Sequence, residues 1–268
     1  MNKKLLAAAV AAAVVAAPAA FAESVVYGKF HTSYDGVDYT SPRFENRDNY
    51  ELNSRASRLG LKGSEDLGIC LKAIYQAEFS VQTDGNDVGY GQDGGDGWGS
   101  HRNTFIGLSS DWGTLLAGRH DTPAKVAFYG AGTEILGDSI LDLNRGNTLF
   151  LQGSSKAPIG VFSEYRADNA VAYVSPKFAG LTFVGAIIPG EDREGDQKIK
   201  EGDGWADHYS AGLIFGTNAF KASAGYQQTK VADVKQKLWQ VGGSVDLFDA
   251  FMIGAHYENT KNFGQVDN

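Results

Sequence analysis

The chain has 268 residues, with 34 glycines, six prolines, one cysteine and a formal net charge of −8. A single cysteine excludes a disulfide framework, and the acidic balance argues against nucleic acid as a partner. The many glycines, few prolines and scarce methionine indicate a β-protein with close backbone approaches rather than a helical bundle.

The N-terminus has the three parts of an export signal. Lys3 and Lys4 precede an Ala/Val/Leu-rich run, which ends in the small-x-small site Ala20-Phe21-Ala22. We therefore expect a signal peptide over 1–22 and a mature chain that begins at Glu23. A membrane anchor is the alternative, but the run is shorter than the roughly 20 residues of a spanning helix. Without residues 1–22 the chain has 22 basic and 32 acidic residues, a net charge of −10.

After residue 22, apolar and polar residues alternate in many short segments. In the segment 71–79 the odd positions are apolar, while the even positions include Lys72, Gln76 and Glu78. Successive strand side chains point to opposite faces, so the pattern predicts strands with one apolar and one polar face. Eleven strands are predicted, at 25–34, 54–63, 69–80, 102–109, 113–119, 168–175, 180–188, 207–215, 219–228, 237–247 and 250–259. In a membrane such strands must form a closed barrel, which satisfies every backbone group.

The predicted connections alternate between tight turns and long charged loops. The turns are 64–68, 110–112, 176–179, 216–218 and 248–249, and the loops are 35–53, 81–101, 120–167, 189–206 and 229–236. Outer-membrane barrels have short turns at one end, long loops at the other and aromatic girdles near the strand ends. A soluble sandwich has no reason to sort its loops in this way. The predicted fold is all-β, a transmembrane antiparallel β-barrel.

Cys70 is predicted to be a small apolar residue near the start of a strand. The glycine-rich segment 84–99 carries four aspartates, Asp84, Asp87, Asp93 and Asp96. These carboxylates are a candidate calcium site, but the EF-hand spacing and its closing glutamate are missing, so an acidic external loop is the preferred interpretation. The five histidines have no zinc spacing and no nucleophile-elbow motif is present, so we expect no metal, no cofactor and no catalytic residues.

Three parts of the chain carry a family resemblance. The stretch Asn53–Gly68 with Leu71-Lys72-Ala73, the pair of segments 102–108 and 112–119, and the hairpin 168–181 resemble successive hairpins of Gram-negative general diffusion porins. The resemblance runs from Val25 to about Thr260 in the right order. It implies a sixteen-stranded outer-membrane barrel, usually a homotrimer, through which ions and small hydrophilic solutes diffuse passively. Outer-membrane lipid and lipopolysaccharide would surround this barrel.

The resemblance also implies that the third loop, here 120–167, folds into the lumen. Its nine large apolar residues favour packing against the inner wall rather than a solvated tether. At the position of the family's Pro-Glu-Phe-Gly-Gly-Asp stretch this chain has Thr133-Glu134-Ile135-Leu136-Gly137-Asp138. With eleven strands of an expected sixteen, the domain 23–268 is predicted to be incomplete at its C-terminus.

The predicted pore constriction combines a basic wall with an acidic loop. Strand parity turns Arg58, Lys72 and Arg102 toward the lumen, and Arg58 and Arg102 also match basic positions of the family motifs. The candidate constriction residues are Arg58, Lys72, Arg102 and Arg119 on the wall, with Glu134, Asp138 and Asp142 on the loop. Opposed charges of this kind orient hydrated solutes and set ion preference without tight binding. The alternatives are a substrate-selective channel, or a barrel that serves adhesion or catalysis.

Overall fold

A computed structural model describes residues 23–41, 44–83, 98–134, 137–138, 166–189, 204–231, 234–247 and 251–262. The strands are β1 Glu23–Lys29, β2 Thr32–Ser41, β3 Phe44–Ser54, β4 Arg58–Gly68, β5 Leu71–Val81, β6 Trp98–Ser110, β7 Gly113–Asp121, β8 Arg166–Val174, β9 Leu181–Ile188, β10 His208–Gly216, β11 Phe220–Val231, β12 Val234–Leu247 and β13 Phe251–Lys261. One helix, α1, covers Pro123–Gly130 between β7 and β8. The predicted signal peptide 1–22, the candidate calcium ligands at 84–96 and Asp142 lie outside the described residues.

Eleven strands form one antiparallel sheet in the order β1-β4-β5-β6-β7-β8-β9-β10-β11-β12-β13. Apart from the step from β1 to β4, every neighbour in this order is also the next strand along the chain. Each strand of the sheet corresponds to one of the eleven predicted strands, which confirms the all-β antiparallel prediction. Within the part of the chain that the structure describes, no helix has both the length and the apolar character needed to span a membrane.

Two predicted loops contain strands. The segment 35–53 forms most of the β2–β3 hairpin, in which Thr32 pairs with Ser54 and Asp35 with Glu51. The segment 229–236 continues β11 and β12 in register, as far as the pair Val231 and Val234. Both predictions were wrong because they depended on apolar alternation. A ladder of backbone hydrogen bonds continues through polar residues once its register is fixed.

The predicted turn at 64–68 is also wrong. Strand β4 continues to Gly68, since Ser64 pairs with Ile74 and Asp66 with Lys72. The turn consists of Ile69 and Cys70, whose φ angles are 48° and 59°. Two positive φ angles define the tight hairpin turn whose twist matches the flanking strands. Cys70 is therefore an exposed residue of the turn that directly precedes β5.

The two faces of the sheet differ in character. Residues directly opposite one another share a face, and one such row runs through Leu116, Ala172 and Ala186 on three neighbouring strands. These three side chains are buried together on the inner face. The intervening positions turn outward and expose large apolar side chains, among them Ile106, Leu115, Val171, Phe183 and Leu213. The outer face is therefore the apolar one, as a lipid-facing wall requires.

Helix α1 lies flat on the inner face of β10–β12. Its first position is Pro123, and the Thr122 hydroxyl accepts a hydrogen bond from the Lys125 backbone N–H, so both N-terminal signals of a helix are present. The wall beneath it has no side chain at two facing positions, because Gly212 and Gly225 stand opposite each other on β10 and β11. A Cβ atom at Gly212 would lie 2.5 Å from the Pro123 carbonyl oxygen. Glycine at this position therefore allows the helix to approach the sheet.

Candidate functional site

A buried carboxylate lies between the two arginines that the sequence places on the inner wall. Glu78 is on β5, and the strand order puts Arg58 of β4 on one side and Arg102 of β6 on the other. Arg102 Nε lies 2.6 Å from Glu78 Oε1, and Arg58 Nε lies 3.8 Å from Glu78 Oε2. Glu78 is only 7% exposed. One carboxylate thus compensates part of the charge of both guanidinium groups.

Tyr27 on β1 also binds the Glu78 carboxylate. Its hydroxyl donates a hydrogen bond of 2.9 Å to Glu78 Oε2. The tyrosine ring reaches across Gly60 of β4, where a Cβ atom would lie 2.6 Å from the ring carbon Cζ. The space left by Gly60 therefore allows a residue of the first strand to position a carboxylate two strands away.

The inward loop meets the same group of charges through Asp138. Its Oδ2 atom lies 2.8 Å from Lys29 Nζ and 3.6 Å from Arg58 Nη1. Burial acts to raise the pKa of the Asp138 carboxyl. The hydrogen bond from Lys29 and the positive charges of Lys29, Arg58 and Arg102 outweigh burial and hold that pKa below its ordinary value of 3.8. Asp138 is therefore a carboxylate at neutral pH.

We call Lys29, Arg58, Glu78, Arg102 and Asp138 the inner charge cluster. It contains three cations and two carboxylates, so its formal net charge is +1. The sequence suggested an acidic loop that faces the basic wall across a gap. In the structure Asp138 contacts that wall directly, so the loop carboxylate joins the ion pairs of the wall.

The other predicted constriction residues have different surroundings. Arg119 pairs through Nη1 with Asp168, and its Nε donates to the His101 carbonyl oxygen over 2.9 Å. Lys72 is exposed beside the Ile69–Cys70 turn. In the strand register it stands opposite Asp66 of β4 and Ser109 of β6. Glu134 lies in the loop, where its Cγ is 3.2 Å from the place a Gly137 Cβ would take.

The root of the loop is fixed by a second set of ion pairs. Asp121 ends β7, and its Oδ1 lies 2.9 Å from Lys125 Nζ on α1 and 3.0 Å from Arg166 Nη2 at the start of β8. The Asn103 side-chain amide donates 2.8 Å to Asp121 Oδ2 and accepts 2.8 Å from Arg166 Nε. This root network joins the strand before the loop, the strand after it and the helix that leads into the lumen.

The loop crosses from one edge of the sheet to the other. The Ala131 carbonyl accepts a hydrogen bond from Ser244 of β12, and the Thr133 methyl lies 3.0 Å from the place of a Gly254 Cβ on β13. Five residues later, Asp138 binds Lys29 of β1. Five steps of extended chain span at most about 18 Å. The loop therefore contacts both end strands of the described sheet, β1 and β13.

Lys29, Tyr27 and Glu78 were absent from the predicted constriction. Parity correctly turned Glu78 inward, but its role depends on the β5–β6 register, which shifts by a bulge between Ala77 and Phe79. Lys29 is found only through the pairing of β1 with β4, which skips the β2–β3 hairpin. Neither the bulge between β5 and β6 nor the pairing of β1 with β4 has a signal in the sequence.

An antiparallel sheet with an apolar outer face, a polar inner face and a charged loop against its inner wall defines the porin class of outer-membrane channel proteins. A family model described as Gram-negative porin matches residues 7–268. The chain belongs to this family and is an outer-membrane protein.

Individual relatives agree with this assignment. The chain is 27% identical over 294 residues to an outer membrane porin protein of Bordetella pertussis, covering 98% of this chain and 70% of that protein. It is 28% identical to major outer membrane protein P.IB of Neisseria gonorrhoeae, covering 83% of this chain but only 56% of that protein.

Solved structures show the same fold. The anion-selective porin from Comamonas acidovorans aligns with a TM-score of 0.64 at 21% identity, over 89% of this chain and 68% of that one. Salmonella typhi OmpF, solved in complex with daunomycin, aligns with a TM-score of 0.61 at 15% identity, over 89% and 66%. At these identities the likeness concerns the fold of the wall and not the chemistry of the lumen.

Proposed function

We propose that the whole protein forms a water-filled channel through which ions and small hydrophilic solutes diffuse passively, and that the inner charge cluster is its selectivity region. The observation that carries this proposal is the contact of Asp138 with Lys29 and Arg58 on the inner wall. It brings the inward loop to a charged part of the lumen. Any solute that passes between loop and wall meets these fixed charges.

The charge balance of the cluster determines the direction of the local preference. Glu78 and Asp138 compensate two of the three cations, so one positive charge remains at the contact. In a narrow lumen with low-dielectric walls, a fixed charge raises the local concentration of ions of opposite sign. The channel should therefore favour anions weakly at this point, while the acidic external loops attract cations at the mouth.

A substrate-selective channel is the second candidate. It would bind one solute tightly enough to saturate. The charged groups of the inner cluster bind one another at 2.6 to 3.8 Å, so much of their hydrogen-bonding capacity is already used within the wall. This mutual pairing favours diffusion over a dedicated solute site. We propose no catalytic step.

The protein should work as a homotrimer in contact with outer-membrane lipid and lipopolysaccharide. A Vibrio cholerae relative in fold, OmpT, has been solved in a trimer form. The exposed apolar side chains of the outer face, such as Ile106 and Phe183, provide the surface that lipid and neighbouring subunits would cover. Native gel electrophoresis or analytical ultracentrifugation of the detergent-purified protein would determine the assembly.

Planar-bilayer recording of the purified full-length protein tests the proposal. The expected result is stepwise conductance that rises in proportion to salt concentration, together with liposome uptake of small sugars that does not saturate. Flux that saturates for a single solute would favour the selective channel. Stable insertion without any conductance would overturn the channel proposal.

A further inference from the structure

His256 occupies an unusual place on the inner wall, beneath the helix that leads the loop into the lumen. It lies on β13 and packs edge to face against Phe128 of α1, with ring centroids 4.7 Å apart and an interplanar angle of 75°. The His256 Nδ1 atom is also 2.5 Å from the place a Cβ of Gly242 would take on β12. The imidazole of His256 thus lies between α1 and the inner face of β12 and β13.

Neither imidazole nitrogen of His256 has a hydrogen-bond partner, although both are buried. Phe128, which covers the ring, is only 2% exposed. A neutral imidazole leaves one N–H donor unsatisfied in this crevice. An imidazolium would leave two donors and a charge, which is a larger cost that contact with water would remove.

The other contacts that hold α1 on the wall do not depend on protonation near neutral pH. The Ser210 hydroxyl accepts 2.9 Å from the Ala124 N–H, and the Ser244 hydroxyl donates 2.8 Å to the Ala131 carbonyl. Gln240 donates to the Ala124 carbonyl. His256 is therefore the group among these contacts whose ordinary pKa, about 6.5, lies between pH 7.5 and 5.5.

The surroundings of His256 include other titratable groups, which must be separated from it. These are Glu258 on the same strand, Lys125 and Tyr129 on α1, Glu134 in the loop and Lys221 on β11 near Gly132. The inward residues of β12 at this level, Gln240 and Ser244, are uncharged. Lysine and tyrosine ordinarily titrate above pH 9, and a variant that removes only the imidazole of His256 separates the histidine from the carboxylates of Glu134 and Glu258.

We propose that His256 makes the docking of α1 pH-dependent, so that protonation of its ring releases the helix from the inner wall. Because α1 lies flat against the sheet, release moves it toward the lumen axis and narrows the channel. The inference about docking stands on the contacts of His256 alone, and only its effect on conductance rests on the proposed function.

Thiol labelling measures docking directly. Ala131→Cys places a thiol at a fully buried position of the α1 C-terminus, and the native Cys70, exposed in its turn, serves as the internal reference. The ratio of the two maleimide labelling rates in the full-length, detergent-folded protein corrects for the pH dependence of the reagent. Ala127→Cys, also fully buried, provides a second reporter if the first variant folds poorly.

The expected result is a labelling ratio that rises as pH falls from 7.5 to 5.5, by up to about tenfold for each pH unit once the released histidine titrates. His256→Phe preserves an aromatic contact with Phe128 but cannot be protonated, so it should make the ratio independent of pH. His101→Phe is the matched control, because His101 is exposed and lies beside Phe79. It should retain the full pH response.

A labelling ratio that does not change with pH in the cysteine variant with native His256 would overturn the proposal. An equal rise of the ratio when His256→Phe is added would overturn it too. Single-channel conductance recorded over the same interval should fall as the ratio rises. If the protein conducts at no pH, the channel proposal fails, while the labelling ratio still decides whether His256 controls docking.

Discussion

Arg102 Nε lies 2.6 Å from Glu78 Oε1, so an arginine of the inner wall is paired within the wall itself. The same carboxylate accepts from Tyr27 and lies near Arg58. The field that a passing ion meets therefore depends on Glu78 as much as on the two arginines.

Glu78→Gln should shift the channel toward anions. The substitution raises the net charge of the inner charge cluster from +1 to +2, while glutamine keeps the volume of the side chain. Reversal potentials in a tenfold KCl gradient at low salt measure the shift. Glu65→Gln is the matched control, because Glu65 lies on the outward-facing row of strand β4. An equal shift in that variant would show that Glu78 does not set selectivity.

Arg58→Ala combined with Arg102→Ala should shift selectivity toward cations. The double substitution leaves Lys29 with two carboxylates, a local net charge of −1. Reversal potentials again give the direction. The difference from the native protein should shrink near 1 M salt, where the Debye length is about 3 Å. A salt-independent change would indicate a rearranged loop rather than a changed field.

The contact between loop and wall should persist in moderate acid. The pKa of Asp138 is depressed below 3.8, so its pairing with Lys29 and Arg58 contributes stability that is fully present above the pKa of the unfolded chain. That contribution is lost as pH falls through the lower pKa of the folded protein. In a His256→Phe background, reversal potentials should stay constant from pH 7 to pH 5 and change only below about pH 4. Asp138→Asn should remove that acid transition.

Gly212→Ala should weaken the docking of α1. The added Cβ would lie 2.5 Å from the Pro123 carbonyl, so the helix must move, at a cost of about 1–3 kcal/mol. Gly216→Ala on the same strand is the matched control, since no atom lies within 4 Å of its Cβ position. Heat-dependent gel mobility compares the two stabilities. Equal mobility transitions would contradict the packing of α1 on β10.

Asp121→Asn should destabilise the root of the loop. Lys125 is 6% exposed, so removing the carboxylate of Asp121 takes an ion pair from a buried ammonium, at a cost of up to about 3–5 kcal/mol. Asp168→Asn, which affects the more exposed pair with Arg119, should cost less than about 1 kcal/mol. Urea unfolding followed by tryptophan fluorescence measures both variants.

The order of strands in the main sheet was accessible from sequence because lipid imposes a strict period of two. Segments such as 71–79 show this period, and the structure pairs them as predicted. The β2–β3 hairpin was missed because it contains polar residues such as Asp35 and Asn53, which bind each other and, through Asp35, the following Arg55. A polar network of this kind satisfies a strand without producing an apolar stripe.

The charge cluster was only partly accessible. The inward facing of Arg58 and Glu78 follows from parity, which is local. The parity argument for Arg102 was wrong, because it assumed an outward Phe105, whereas Phe105 pairs with Gln76 and packs on the inner face; Arg102 reaches Glu78 only through the bulge. The contacts among the three residues depend on which strands are neighbours and on a bulge in the β5–β6 ladder, which are properties of the assembled sheet. The attachment of Asp138 to Lys29 joins residues 109 positions apart, and no local pattern encodes it.

The crossing of the loop between β13 and β1 also has a thermodynamic consequence. Because Thr133 lies against one edge strand and Asp138 binds the other, the two edges cannot separate without breaking the loop contacts. Curvature of the sheet and attachment of the loop are therefore a single cooperative event. A wall that is fully formed while its loop is detached at both ends should be only sparsely populated during unfolding, and the loop and wall should lose their protection from hydrogen exchange together.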